Sequence, residues 1–186
     1  MFEQRTLGHP LPDNAELDYL YDTQGRVAEI GLSRRGIGRQ VLLYSALYDP
    51  FGPVSLWTYG NGRVMTRTYS KSGQPGVVQV SGSGGLSVGY EFDEVGNLKK
   101  LRAANQADPP RRIFAYDGLN RLSETKDGST NAVLQAYTHD KTGNRTSATV
   151  GTTATPYTYA VDKHRLSKVG TAATRVYDAN GNTTSI

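Results

Sequence analysis

Hydrophobic and polar positions alternate along this chain in short runs, and a turn signal interrupts these runs at regular intervals. The recurring unit is aromatic-x-aromatic-Asp-x-x-Gly-(Asn/Arg)-hydrophobic, and its most complete copy is residues 90–98, Tyr-Glu-Phe-Asp-Glu-Val-Gly-Asn-Leu. Two aromatic residues two positions apart lie on one face of a β-strand, and tyrosine and phenylalanine favour strands. Each unit therefore predicts a strand that ends in a turn.

The Asp-x-x-Gly segment is typical of a type I turn. Aspartate at the first position accepts a hydrogen bond from the backbone two residues on, and glycine three residues later takes a positive φ angle without a steric penalty. Asn120 replaces that glycine in one copy, and asparagine tolerates the left-handed region better than other residues. Hydrophobic positions resume after each turn, so each unit predicts one β-hairpin.

Copies of the unit follow one another with a period of roughly 20 to 27 residues, which is typical of repeat architectures. Less complete copies lie at Asp49, at Ser70, where serine replaces aspartate, and at Ala160, which is followed by one extra residue. The repeat residues predicted to have structural roles are Tyr19, Tyr21, Asp22, Gly25, Arg26, Tyr48, Asp49, Gly52, Trp57, Tyr69, Gly73, Tyr90, Phe92, Asp93, Gly96, Phe114, Tyr116, Asp117, Asn120, Arg121, Tyr137, Asp140, Gly143, Tyr157, Tyr159, Arg165, Tyr177, Asp178 and Gly181.

The aromatic and basic side chains of the repeats have predicted contacts. We expect the tyrosines to stack from repeat to repeat on one face, where an aromatic pair adds about 0.5 to 1.5 kcal/mol beyond area burial. Arg26, Arg121 and Arg165 are expected to lie over neighbouring rings or to pair with an adjacent aspartate. An alternative is that tyrosine and arginine line a groove for carbohydrate or nucleic acid.

Hairpins account for most of the chain. Residues 1–18 contain two prolines and no periodicity, so they are predicted to be a lead-in loop or linker, followed by a repeat domain over 19–186. The Gly/Ser-rich residues 81–85 form the flexible point of the chain, but repeats resume directly after them and no boundary is predicted there. The tight basic cluster at 33–39 is interpreted as an exposed hairpin tip, and Asn61-Gly62 as a tight turn.

About eight hairpins give on the order of sixteen strands, which is more than an open twisted sheet usually carries without curling. The array is therefore expected to curve. The sequence stops hardly past the last turn, so we expect a fragment that is truncated at its C-terminal end. Its terminal strands would expose unpaired edges that favour self-association.

Composition agrees with a folded, non-helical chain. Hydrophobic residues make up 37%, glycine contributes 21 of 186 residues, and there is no apolar run long enough to span a membrane or to resemble a signal peptide at the N-terminus. The absence of cysteine excludes disulfides and thiolate metal sites. The net charge of +4 and the pI near 9.3 come from basic residues spread among the repeats, which is typical of a solvated surface.

Candidate chemistry is sparse. Residues 85–89 match the Gly-x-Ser-x-Gly motif around Ser87, but a nucleophile elbow needs a strand before it and a helix after it, and neither is predicted here. His9, His139 and His164 lack a second ligand at zinc spacing, and the glycine of residues 178–182 is misplaced for an EF-hand loop. No catalytic, cofactor-binding or metal-binding residue is predicted, and the chain is not expected to be an enzyme.

The Tyr-Asp-x-x-Gly-(Arg/Asn) repeats, with residues 49–54 (Asp-Pro-Phe-Gly-Pro-Val) and 57–62 (Trp-Thr-Tyr-Gly-Asn-Gly), resemble the Rhs/YD-repeat family of bacteria over residues 19–186. The resemblance implies an all-β array of about eight hairpins, forming a curved, spiralling antiparallel sheet that is a segment of a hollow shell. Asp49-Pro50-Phe51-Gly52 is similar to the family's autocleavage motif, but Pro53 stands where that motif generally has leucine. Asp49 is therefore assigned no catalytic role.

The function implied by the resemblance is encapsulation or presentation of a C-terminal toxin. Such shells occur in polymorphic toxins delivered by type VI secretion, in insecticidal toxin complexes and in wall-associated proteins. The implied partners are the remaining repeats of a longer shell, the toxin domain, and secretion-apparatus proteins or surface carbohydrate, with no nucleic acid expected. The implied location of the full-length protein is secreted or at the cell surface. The alternative function is a carbohydrate- or surface-binding repeat module.

Overall fold

The computed structural model describes residues 3–5, 15–105, 107–161 and 164–185, with the backbone alone for 3–5. These residues form seventeen strands and the turns between them, with no helix. The predicted all-β, antiparallel hairpin array is confirmed. Contacts divide the chain into two compact units, residues 1–90 with 103–106 and residues 91–102 with 107–186.

In the first unit strands that are consecutive along the chain pair antiparallel with each other. The last two residues of its final strand belong to the second unit. The strands are β1 (Glu3–Arg5), β2 (Ala15–Tyr21), β3 (Val27–Arg34), β4 (Gly38–Tyr48), β5 (Val54–Tyr59), β6 (Val64–Tyr69), β7 (Pro75–Val80) and β8 (Ser87–Phe92).

The second unit continues the same order of consecutive antiparallel strands, and its last two strands form a separate pair. The strands are β9 (Leu98–Arg102), β10 (Arg112–Tyr116), β11 (Leu122–Asp127), β12 (Val133–His139), β13 (Arg145–Val150), β14 (Thr153–Tyr159), β15 (Leu166–Val169), β16 (Val176–Tyr177) and β17 (Thr183–Ser185).

The predicted turns join an even-numbered strand to the next odd-numbered one. In the β2–β3 hairpin the register shifts between Leu20 and Tyr21, directly before the turn at Asp22. The same shift precedes the turns at Asp117 and Asp140. A type I turn followed by a residue in the left-handed region produces this bulge, and its twist suits a hairpin.

The N-terminal segment differs from the predicted loop or linker. Glu3–Arg5 pairs with β2, and β2 begins at Ala15, so the predicted boundary at residue 18 falls inside a strand. Alternating polar and apolar residues from Ala15 onwards carry the strand pattern upstream of the first tyrosine. Residues 6–14, which include the two prolines and His9, lie outside the described residues.

Few side chains are buried. Ala15, Ala28, Trp57 and Met65 are the buried hydrophobic residues of the described chain, and Asp18 is its buried charged residue. All five belong to the first unit. Most other strand residues are half-buried, so strand pairing and contacts along the sheet surface hold the repeats together.

Candidate functional site

The turns of the repeats are held by a shared set of hydrogen bonds, seen fully at Asp117. The backbone N–H of Asn120 donates to the carbonyl oxygen of Asp117 at 2.9 Å, which closes the type I turn. The N–H groups of Leu119 and Arg121 donate to Oδ1 of Asp117 at 2.9 and 3.0 Å. Nε of Arg121 donates to Oδ2 at 2.7 Å. One carboxylate therefore binds the turn backbone and the side chain that follows it.

The same bonds recur at the other aspartate turns. Asp22 binds Arg26 in this way, whereas Asp93, Asp140 and Asp178 accept from the side-chain amide of an asparagine at the fourth following position. In six of the turns the residue in the glycine position has a positive φ angle, and these residues are Gly25, Gly73, Gly96, Asn120, Gly143 and Gly181.

These bonds lower the pKa of the turn aspartates. The pKa of Asp22 is lowered most by the hydrogen bond from the backbone N–H of Arg26. The hydrogen bond from the Arg26 side chain lowers it further. At Asp140 desolvation acts to raise the pKa, but hydrogen bonds from Asn144 and Thr142 outweigh it and lower the pKa to about 2. The ionised carboxylate is the form that the turn binds.

Two turns lack the aspartate. At Ser70 the hydroxyl oxygen accepts from the backbone N–H of Gln74 at 3.1 Å, in place of a carboxylate oxygen. At Ala160 the backbone N–H donates to the carbonyl oxygen of Arg165 at 3.1 Å across the longer turn. The hairpin therefore persists where the aspartate is replaced.

The turn at Asp49 differs from the predicted geometry. Its closing bond, from the N–H of Gly52 to the carbonyl oxygen of Asp49, is present at 2.9 Å. However, Phe51 has the positive φ, at 57°, and Gly52 does not. Proline at the second position followed by a positive φ is the geometry of a type II turn, which normally places glycine or asparagine where Phe51 lies. Pro53 also removes the backbone N–H that the other turns donate to aspartate.

In five of the hairpins the tyrosine directly before the turn contacts the preceding repeat. Its hydroxyl donates to a backbone carbonyl oxygen at the start of the strand that follows the preceding turn. The two strands are paired in the sheet in four of the five cases, whereas β15 and β16 are not paired. The bonds are Tyr48 to Val27 (2.7 Å), Tyr69 to Val54 (3.3 Å), Tyr116 to Leu98 (2.9 Å), Tyr159 to Arg145 (3.0 Å) and Tyr177 to Leu166 (2.6 Å). We call these five contacts the tyrosine bonds.

The repeat tyrosines and phenylalanines are half-buried, and the ring–ring contact found among the described residues joins Trp57, which is buried, to Tyr59. Arginines, not second tyrosines, lie against the tyrosine rings. Arg145 lies between Tyr137 and Tyr157, with its guanidinium carbon 5.6 and 4.2 Å from the two ring centroids. A guanidinium is attracted to the faces of both rings. Direct stacking of tyrosines is thus replaced by stacking through arginine.

The three predicted arginines have different contacts. Arg26 pairs with Asp22 and also lies 4.5 Å from the Tyr48 ring centroid. Arg165 lies 5.8 Å from the ring centroid of Tyr177. Arg121 pairs with Asp117 and donates to the carbonyl oxygen of Asp140, in the next repeat, at 2.7 Å.

An ion pair crosses three strands of the first unit. Arg39, on β4, donates to both carboxylate oxygens of Asp18, on β2, and also pairs with Glu29 on β3. Gly31 lies between them, and a Cβ there would meet the Arg39 guanidinium at 2.5 Å. Asp18 and Glu29 both raise the pKa of Arg39. Arg39 was predicted to lie in an exposed hairpin tip, and Gly31 alone hinted at the close approach.

A cavity of about 490 Å³ opens on the first unit between β2, β3 and β4. Tyr44, Leu47 and Tyr48 line it, together with Leu20 and Ala28. The register of β4 shifts between Tyr44 and Leu47, so two residues of β4 face one residue of β5. This bulge forms one wall of the cavity. No sequence pattern predicts this bulge or the cavity.

Ser87 and His164, which were considered as candidates for chemistry, make polar contacts within the fold. Ser87 is the first residue of β8, and its hydroxyl oxygen accepts from the N–H of Ala104 at 3.0 Å. A nucleophile elbow requires a helix directly after the serine, and no helix follows Ser87 in the described chain. Nδ1 of His164 lies 3.0 Å from Oδ1 of Asn144. The described residues contain no group of three or more metal-ligating side chains.

Taken together, the consecutive hairpins and their turns define an antiparallel β-repeat scaffold. A chain in the TcdB2–TccC3–Cdc42 crystal structure has this fold, with a TM-score of 0.75 and 18% identity, over 92% of this chain and 11% of that one. For TcdB2–TccC3–TEV the TM-score is 0.70 at 20% identity, over 82% and 9%. For a Photorhabdus luminescens Tc holotoxin pore with a substitution in TccC3 it is 0.73 at 17% identity, over 91% and 11%.

These likenesses confirm the Rhs/YD-repeat resemblance at the level of the fold. The chain spans between 9% and 11% of the length of the solved chains that it matches. No family model and no curated protein matches the sequence.

Proposed function

We propose that this chain is a segment of an Rhs/YD-repeat shell, which encloses or presents a C-terminal toxin or effector domain. The observation that carries the proposal is the hairpin-by-hairpin fold shared with chains of Tc toxin complexes over 92% of this chain. Its partners are then the remaining repeats of a longer shell and the enclosed domain, with a secreted or surface location for the whole protein. No helix of the described residues is long and apolar enough to cross a membrane.

The contacts of the repeat residues support a scaffold without enzymatic activity. The turn aspartates bind their own backbone, and five tyrosine hydroxyls bind the backbone of the preceding repeat. A carbohydrate-binding module, the alternative, would need aromatic faces open to a ligand. The repeat tyrosines are half-buried, and several carry an arginine on the ring face, which favours the scaffold.

The test begins with the coding sequence on both sides of this chain. We expect it to continue into further Tyr-Asp repeats and an Asp-Pro-x-Gly-Leu motif before a variable domain. The full-length protein would then be treated with protease, alongside the variable domain expressed alone. The variable domain should survive inside the full-length protein and be digested when alone.

Equal digestion of the domain in both settings would refute encapsulation. Flanking sequence without repeats would refute the shell. A binding screen of this chain against glycans that detects saturable binding, lost when Tyr44 is replaced by alanine, would favour the alternative.

A further inference from the structure

Charged residues are unevenly distributed along the first unit. Between Asp49 and Glu91 the sequence contains no aspartate or glutamate, and this stretch forms β5, β6, β7 and most of β8. Its charged residues are three cations, Arg63, Arg67 and Lys71. The strands on both sides of β6 therefore offer its cations no carboxylate.

Arg67 lies on the face of the sheet that also carries Trp57. Trp57 pairs with Met65 across β5 and β6, and Arg67 is two residues further along β6, so the three side chains share one face. The guanidinium carbon of Arg67 is 4.7 Å from the centroid of the indole ring. Trp57 and Met65 are buried, whereas Arg67 is half-buried. The arginine thus covers the apolar centre of this face and stays within reach of a ligand.

The Arg67 guanidinium has unused hydrogen-bond donors. Its Nε is buried without an acceptor, and its two Nη atoms are not buried and make no hydrogen bond within the described part of the chain. Arg26 and Arg121 are also half-buried, but each pairs with a carboxylate, Asp22 or Asp117. An arginine fork matches a carboxylate with two parallel bonds. A carboxylate from outside the chain would complete Arg67 in the same way.

A second cation without a carboxylate partner lies on the same side of β6. Arg63 directly precedes this strand, and alternation places it on the face of Met65 and Arg67. Its Nη2 donates to the carbonyl oxygen of Ser83 at 2.7 Å, which holds the side chain but does not neutralise it. Four residues of extended chain separate Arg63 from Arg67 by about 13 Å. A single small anion does not match this spacing, whereas carboxylates four residues apart on an extended peptide do.

We propose that this face of β5–β7 binds an extended acidic polypeptide, with one carboxylate of the partner on the Arg67 guanidinium above Trp57. The positive charge of the face, with no acid in the strands around it, selects an acidic partner by charge complementarity. This inference goes beyond the proposed function and does not depend on it.

Nucleic acid is the other common polyanion, and the geometry of the face disfavours it. Binding of a single strand uses several cations along the backbone and exposed aromatic faces on which bases stack. Here the acid-free stretch supplies two cations to the face, and Trp57 is buried beneath one of them. A carboxylate needs only the planar fork of one arginine.

Titration of the whole chain with a peptide of alternating glycine and glutamate tests the proposal. Trp57 is the sole tryptophan, so its emission reports directly on the contact at Arg67. Calorimetry measures the affinity, and a glycine–glutamine peptide at equal ionic strength is the ligand control. We expect weak, saturable binding of the glutamate peptide, which changes the Trp57 emission and weakens as salt is added. The glutamine peptide should not bind.

Substitutions at two cations locate the contact. Arg67→Gln should weaken binding at least about tenfold, because a charge-assisted bidentate contact is lost. Arg67→Lys keeps the charge but not the planar fork, and it should weaken binding by a smaller factor. Lys71→Gln is the matched control, because it removes the same charge from an exposed turn position in the same acid-free stretch. It should change the affinity by less than about twofold, since salt screens an exposed charge.

A second pair of variants keeps Arg67 in place, because loss of this arginine also uncovers Trp57. Ser55 lies on the face of Trp57, and the register of β5 and β6, when continued, places it opposite Arg67. Ser55→Glu supplies a carboxylate from within the chain and should abolish binding. Ser55→Gln has nearly the same size without the charge, and it should retain binding.

Absence of saturable binding of the glutamate peptide to the natural chain would overturn the proposal. So would equal losses in Arg67→Gln and Lys71→Gln, because binding would then follow net charge alone. Equal losses in Ser55→Glu and Ser55→Gln would also overturn it, since shape and not charge would then decide. A single-stranded oligonucleotide that binds more tightly than the peptide, with the same dependence on Arg67, would assign the face to nucleic acid instead.

Discussion

At the scale of single residues, the tyrosine hydroxyls join one repeat to the one before it. Tyr116→Phe removes the 2.9 Å bond to the Leu98 carbonyl oxygen and leaves the ring in place. We expect a loss of about 1 kcal/mol in the free energy of unfolding, the usual net value of such a bond. Urea denaturation measures it.

Tyr90→Phe serves as the control, because Tyr90 is equally half-buried and its hydroxyl makes no hydrogen bond in the described structure. The change in the free energy of unfolding should stay within about 0.5 kcal/mol, which is usual for substitutions that break no hydrogen bond and open no cavity. Equal losses for the two variants would contradict the role given to the tyrosine bonds.

The aspartate turns predict a dependence on pH. The pKa of Asp140 is about 2 in the folded chain against an ordinary value of 3.8. As the pH falls, the unfolded chain binds this proton first, so the stability that the ionised form provides is lost between about pH 4 and pH 2. Asp140→Asn cannot titrate. The natural chain should exceed it in stability at neutral pH, and thermal melts should show this gap narrowing through that window.

A gap of constant size across the acid range would mean that the carboxylate charge does not matter. In that case the difference between the two chains would come from packing or turn geometry alone. A narrowing that begins well above pH 4 would point to a different titrating group.

The aspartate and the glycine of a turn act within five residues, so a local sequence pattern can indicate their roles. The hydrogen bonds of Asp117 lie inside its own turn. The side chain of Arg121, which binds Asp117, also reaches the carbonyl oxygen of Asp140 in the next repeat. The bond from Tyr48 to Val27 joins residues 21 positions apart. No local rule gives that partner, since it depends on how consecutive hairpins pair.

At the scale of the hairpin, the left-handed residue fixes the turn. Gly25 has a φ of 76° and no atom within 4 Å of the position of a Cβ. Gly25→Ala therefore changes the backbone energy alone, and it should cost about 1–2 kcal/mol. Gly25→Asn should cost less, as Asn120 shows by occupying the same position at 59°. Chemical denaturation of the three chains gives the order, and equal costs for alanine and asparagine would contradict it.

The turn predicted at Asn61-Gly62 joins β5 to β6, but its type differs from the one predicted. Tyr59 starts a turn closed by the N–H of Gly62 at 2.8 Å, and Gly62 has a φ of 79°. This four-residue turn has the same type as the Asp-x-x-Gly turns, but it lies on the opposite edge of the sheet and contains no aspartate. The prediction was a two-residue turn formed by Asn61 and Gly62 alone. The turn that contains Phe51 shows the opposite. Its sequence keeps the aspartate and the glycine, but the positive φ angle is at Phe51 and not at the glycine.

The three-strand ion pair contains Asp18, the buried charged residue of the described chain. Arg39→Ala leaves Asp18 buried without its partner, and we expect a loss of about 2–3 kcal/mol. This is less than the roughly 3–5 kcal/mol of a fully buried pair, because the Arg39 side chain is 35% exposed. Arg35→Ala, at an exposed neighbouring position, should change stability by no more than about 0.5 kcal/mol.

At the scale of the whole molecule, contacts in a repeat array are mainly between neighbours, so damage should stay local. In Arg39→Ala we expect faster amide hydrogen exchange in residues 15–48, with residues 107–161 unchanged. Exchange followed by mass spectrometry of the peptides measures both. A uniform increase along the chain would show that it unfolds as one cooperative block instead.

Most of the fold was predictable because the same local signal is repeated. Eight turns in phase fixed which segments are strands, and consecutive antiparallel pairing followed from short connections. The ends were less predictable. The lead-in lacks the Tyr-Asp signal, and its strands form because β2 offers an edge to Glu3–Arg5.

Every tyrosine bond runs from one repeat to the repeat before it, between the same two positions of the unit. An added repeat therefore brings both the donor for its predecessor and the acceptor for its successor. Duplication or deletion of one unit in the gene would reconnect the array without a new complementary surface having to evolve. Recombination could thus lengthen or shorten such a wall while each junction stays chemically the same.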